Sequence, residues 1–222
     1  MDADSFPDAV KAAKATELDR LGSQQSLVAL TDADLDAEAV LRAAAHSEWT
    51  ARETFVEWAE TESDDGARET FADLADREAS HHERVVSELA DENDADGQDV
   101  SASDRAPEGP IDPMHERLRD IDDTVERAAG LVGRSLVADR TLLQVVNFFV
   151  NEADERRADL FRELREDTRK SASTGAELLD HHCENETDRE RARAVAESVV
   201  QVAYDDYAET LDGMGLDPKP VC

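Results

Sequence analysis

Apolar residues return every three or four positions through most of the chain, and no stretch alternates Val, Ile or Thr with polar residues as a half-buried strand would. A helix turns about 100° per residue, which gathers such positions into one stripe, so the pattern predicts an all-α chain. Pro7 at an early turn and Gly22 after the last apolar residue bound a first helix near 7–21. A second follows the Asp32 to Asp36 region and runs to Ser63 with the stripe Leu41, Ala44, Ala45, Glu48, Ala51, Phe55, Trp58. A third follows Asp64 to Gly66 and carries Ala67, Phe71, Leu74, Glu78, His81, Val85, Leu89. The same spacing predicts helices over 113–137 (Leu118, Val125, Val132), 141–170 (Val145, Phe149, Leu164) and 188–212 (Val195, Val199, Leu211), with a break at Ser171 to Gly175.

Between the third and fourth helices, Asp91 to Asp112 is polar, holds Gly97, Pro107, Gly109 and Pro110, and offers almost nothing to bury. It reads as a long exposed connection. Two hairpins joined by one long crossover is the connectivity of ferritin-like four-helix bundles. The expected organisation is therefore an N-terminal helix in 1–30, a bundle in 31–170 with its linker at 91–112, and a C-terminal helix and tail in 171–222. A bridge between two helical domains is the other reading of the same segment.

Fifty-five acidic against 24 basic residues give a formal net charge of −31. In dilute buffer so much like charge opposes compaction. At molar salt the screening length falls to about 3 Å and an acid-coated surface becomes tolerable, which points to a halophile's cytoplasm. Backbone binding to nucleic acid needs clustered Lys or Arg, which this surface scarcely supplies, so nucleic acid is excluded as a partner. No apolar run approaches the roughly 20 residues of a membrane span, and MDADSFPDAVK lacks the order of a signal peptide, so a cytoplasmic protein is expected. Cys183 and Cys222 form no CxxC pair, which leaves neither a disulfide framework nor a sulfur-ligated metal site within one chain.

Charged groups on a core-facing stripe need a partner or a metal, because desolvating an isolated carboxylate costs too much. Glu48 and Glu78 occupy such stripes, and His81, three residues after Glu78, projects to the same side of its helix. Carboxylate oxygen with imidazole nitrogen suits iron or manganese. "EWTARETFVEWA" from Glu48 and "FADLADREASHHERV" from Phe71 resemble the two ligand helices of the rubrerythrin-like branch of the ferritin-like di-metal carboxylate superfamily: a Glu followed by Ala-Arg and aromatics, then ExxH followed by a basic and an aliphatic residue. The resemblance spans roughly 36–164. It implies a non-haem di-iron or di-manganese oxidoreductase or peroxidase acting in oxidative stress or iron redox chemistry. It also implies that Glu48, Glu78 and His81 supply one half of a dinuclear site, with Glu126, Glu152 and Glu155 completing the other. Glu155 stands where the family pattern has His, and the two CxxC pairs of a rubredoxin domain are absent.

The competing reading is a metal-free ferritin-like bundle that regulates or binds other proteins, with the 188–212 helix as a homodimer or partner surface. His82 is expected to turn away from His81, toward solvent or a neighbouring helix, since neighbours in a helix do not share a face. "DHHCEN", Asp180 to Asn185, contains zinc-ligand types, but successive helical positions diverge and the segment reads as structural.

Overall fold

Asp and Asn side chains set the starts of six helices. Asp36, Asp64, Asp112, Asp123, Asp154 and Asn185 each accept a hydrogen bond from the backbone N–H three residues on, at Ala39, Ala67, His115, Glu126, Arg157 and Asp188. Each bond satisfies one of the amides that a helix start leaves open, stabilising by ~1 kcal/mol. The computed structural model describes residues 5–94 and 109–218, and its regular elements are all helices. They are α1 (Ser5–Ala13), α2 (Ala15–Leu21), α3 (Gln25–Leu30), α4 (Ala37–Thr61), α5 (Asp65–Asp94), α6 (Pro113–Arg119), α7 (Thr124–Asn151), α8 (Glu155–His182) and α9 (Glu186–Gly213). The all-α expectation holds. None of these helices is long and apolar enough to cross a membrane.

The chain divides into two compact units, Leu30–Ile111 and Met1–Ala29 with Asp112–Cys222. In the first, α4 and α5 form a hairpin. Glu62 ends α4, and its Oε1 accepts from the N–H groups of Ser63 and Asp64, which tightens the turn into α5. Phe55, Trp58, Phe71 and Leu74 are buried between the two helices, with the Trp58 and Phe71 rings edge to face at 5.2 Å. Aromatic pairs of this kind contribute ~0.5–1.5 kcal/mol beyond the area they bury.

In the second unit α7 is the central helix, packed by α8 and α9 and touched by α1, α2 and α6. It is buried on nearly every side, which is why it carries Val125, Ala128, Leu131, Val132, Leu136, Val145 and Phe149 in no narrow stripe. Two glycines permit the close packing. A Cβ on Gly133 would stand 2.8 Å from the Ala196 carbonyl oxygen of α9, and one on Gly175 of α8 would stand 2.9 Å from the Ala128 carbonyl oxygen of α7.

The expected organisation into 1–30, 31–170 and 171–222 differs from this division, because α1, α2 and α9 share the core that α7 and α8 build. Several helix boundaries also move. The first helix is interrupted at Lys14 (φ −112°, ψ 28°), and Gln25–Leu30 adds a helix that apolar spacing did not suggest. The expected 113–137 helix is two: α6 stops at Arg119 and Asp123 restarts the chain as α7, with Arg127 Nε donating to the Ile121 carbonyl across the join. The gap expected at 137–141 is helical, because it holds no breaker and Asp139 instead receives Arg165 and Arg169 from α8. The true turn is at Glu152–Asp154, where Ala153 takes a left-handed φ of 59° and Asp154 caps α8. Ser171 to Gly175 lies inside α8, its glycine serving contact with α7 and not a break. Of the expected connection 91–112, residues 91–94 continue α5 and 95–108 lie outside the described residues.

Candidate metal centre

Glu48 lies midway along α4 and Glu78 and His81 midway along α5, on the faces that the hairpin closes. All three are buried, at 4, 1 and 3% exposure. One ligand atom from each lies within 4.8 Å of the others. His81 Nδ1 is 3.5 Å from Glu48 Oε2 and 3.5 Å from Glu78 Oε2, ion-pair distance from both. Donors that bind one ion at about 2 Å stand no more than about 4 Å apart, so the two 3.5 Å separations suit a shared centre.

Electrostatics set the cluster apart. Burial, followed by the charge of Glu78, pushes the Glu48 carboxyl up to about 7. Burial alone would push the His81 imidazole down, but the carboxylates of Glu48 and Glu78 outweigh it and hold the ring protonated above its ordinary range. Two carboxylates in a dry site thus call for positive charge, met by an imidazolium or by a metal ion that displaces its proton.

Of the two directions expected for the next histidine, the structure takes the one toward a neighbouring helix. His82 is buried at 6%, its ring 5.3 Å from that of Trp49 on α4. Burial and then the Arg52 cation push it down, keeping it a neutral ring beside the cluster. The Trp49 signal was present one residue after Glu48.

Glu126, Glu152 and Glu155 belong to the other unit. Glu126 sits in the first turn of α7 and meets Arg191 Nε of α9 at 3.4 Å. Glu152 is the exposed C-cap of α7, and Glu155 is exposed in the first turn of α8, 3.7 Å from Arg162 Nη1. Among the described residues, the structure therefore groups Glu48, Glu78 and His81, and Glu126, Glu152 and Glu155 join no such group.

The "DHHCEN" residues do not converge. His181 and His182 end α8 with their rings edge to face at 5.0 Å, and Cys183 is its C-cap, a free thiol pushed up by burial and then by Asp188. No protein-family model, curated protein or solved structure matches the chain.

Proposed function

We propose that the α4–α5 hairpin is a metal-binding module that holds iron or manganese on Glu48, Glu78 and His81, in the manner of rubrerythrin-like and ferritin-like carboxylate sites. The observation that carries the reading is the burial of two carboxylates and an imidazole with ligand atoms within 4.8 Å of one another. Oxygen and nitrogen donors match these metals, and helices that project Glu and ExxH inward are how helical bundles assemble such centres. With three protein ligands, coordination positions stay open, and a bound iron or manganese ion would supply redox chemistry toward dioxygen or peroxide there. Glu48 and Glu78 would offset the charge of such an ion, and His81 would bind it as the neutral ring, its proton released to solvent. Beside the cluster, Trp49 packs against His82, and further along α4 Phe55 packs against Trp58.

Elemental analysis of protein purified at high salt, followed by unfolding with added Mn(II) or anaerobic Fe(II), tests this. One ion per chain and a raised unfolding midpoint are expected. A metal-free protein whose midpoint ignores both ions overturns it.

A second reading is favoured by the position of His81 Nδ1, equidistant from both carboxylates. A protonated His81 compensates the pair without metal, and the hairpin is then a scaffold for protein contacts. That reading expects removal of the triad to leave stability equal or greater, since buried ionic clusters are often replaced by apolar groups at no cost.

A further inference from the structure

In the second unit, α1, α2, α7 and α8 line an open cavity of about 510 Å3 whose lining reverses the charge of the molecule. Lys11, Arg140, Arg165 and Arg169 line it against two acids, Asp8 and Asp139, a local excess of two positive charges in a chain of net charge −31. Four cations gathered from four separate sequence positions are a costly arrangement unless an anion compensates them.

The acids do not neutralise the group. Asp139 is shared, its Oδ1 taking Arg165 Nε at 2.9 Å and Arg169 Nε at 2.7 Å. That geometry leaves other N–H donors of both guanidiniums for a ligand. Arg140 has only a loose contact, 3.8 Å from Asp19, whose side chain is 76% exposed. Lys11 meets Asp8, 77% exposed, at 3.1 Å. An independent sign comes from Ser135, a lining residue at 1% exposure whose Oγ is buried with no hydrogen-bond partner. A buried hydroxyl left unsatisfied costs stability, and a ligand oxygen in the cavity would satisfy it. Leu18, Leu136, Ala172 and Ala176 give the same cavity an apolar side, and its volume lies in the range of small-molecule sites.

We propose that this cavity binds a small organic phosphate monoester. A dianionic head matches the excess of two positive charges and the planar N–H forks of Arg140 and Arg169, while the apolar side takes the organic body. The site lies wholly within the unit that lacks the metal cluster, so its fate and that of the metal proposal are independent.

Calorimetric titration with phenyl phosphate and with inorganic phosphate, at the lowest salt that leaves the circular dichroism unchanged, tests the assignment. Saturable binding of phenyl phosphate, tighter than that of inorganic phosphate, is expected. Arg140→Gln and Arg169→Gln should each weaken it about tenfold, the loss of one charge-assisted contact. Both side chains are partly exposed, at 34 and 52%, so the variants should fold, which dichroism checks. No saturable binding, equal affinity for inorganic phosphate, or affinity unchanged in both folded variants would overturn the proposal.

Discussion

The hairpins α4–α5 and α7–α8 contain the same kinds of residue at similar intervals, yet only one makes a cluster of them. In the first, Glu48, Glu78 and His81 fall in the middle of long helices, on faces lined by Phe55, Phe71 and Leu74. In the second, Glu126 opens its helix and is taken by Arg191, while Glu152 and Glu155 flank a turn in solvent. A glutamate's chemistry thus depends less on its spacing than on how far it stands from a helix end. At an end, water and a nearby guanidinium stabilise the charge, whereas mid-helix burial leaves metal, proton or imidazolium as the compensating choices.

The sharpest way to break this contrast is to remove each set in turn. At metal concentrations of about 100 to 1,000 times Kd, a bound ion adds about 3–4 kcal/mol to the stability of the folded protein. Glu78→Gln with His81→Gln should abolish that gain, and Glu152→Gln with Glu155→Gln should keep it whole. Denaturant unfolding with and without Mn(II) reads both. A gain that vanishes in the second pair would overturn the assignment of the centre to the first hairpin alone.

The glycines give the next effect in size, and one hairpin supplies the contrast. Gly133 and Gly175 lie where carbonyl oxygens of neighbouring helices leave no room for a methyl group, while no glycine occurs within α4. Overpacking costs ~1–3 kcal/mol and the Gly→Ala gain in helix propensity returns up to ~1 kcal/mol. Gly133→Ala and Gly175→Ala should therefore each destabilise by ~1–2 kcal/mol in chemical denaturation, since backbone cannot swing aside as a side chain can.

These positions also explain what could be read in advance. Periodicity revealed the helices, and Glu48, Glu78 and His81 stood out because each interrupts an apolar stripe. The boundaries around α7 did not, because a helix buried on all sides has no stripe to end, and Gly175 looks like a breaker until its neighbour is known. The informative signal was polar: Asp123 and Asp154 each accept from the amide three residues on, and reading every Asp before a helical run as a cap would have placed both turns. The basic cavity was invisible because Lys11, Arg140 and Arg165 meet only in the fold.

The pH dependence separates the two units by sign. Glu48 is raised from 4.5 to about 7, so its contribution is present below the ordinary carboxylate range and lost as pH climbs toward neutrality. Metal-free protein should lose hairpin stability over that window, Glu48→Gln should flatten the loss, and Mn(II) should bind more tightly as pH rises because protons compete for the same atoms. Asp112 behaves oppositely. Burial would raise it, but His115, with its ring Nδ1 2.7 Å from Oδ2 and its backbone N–H on Oδ1, holds it near 2. Its contribution should persist above the ordinary carboxylate range and vanish as pH falls toward 2, an acid limb that Asp112→Asn removes.

The smallest effect is the most pointed test of the comparison. Without metal, Glu152→Gln and Glu155→Gln should each change stability by less than about 0.5 kcal/mol, because both side chains are exposed and the cap that Glu152 makes uses its backbone N–H alone. Glu126→Gln should cost slightly more, because Arg191 also binds Asp123 at 3.2 Å and Asp188 at 3.7 Å and would keep two of its three carboxylates. If instead either turn glutamate proved as sensitive as Glu78, then distance from a helix end would not be what distinguishes the two hairpins. Burial of the α4–α5 cluster would then have to be explained by its neighbours alone.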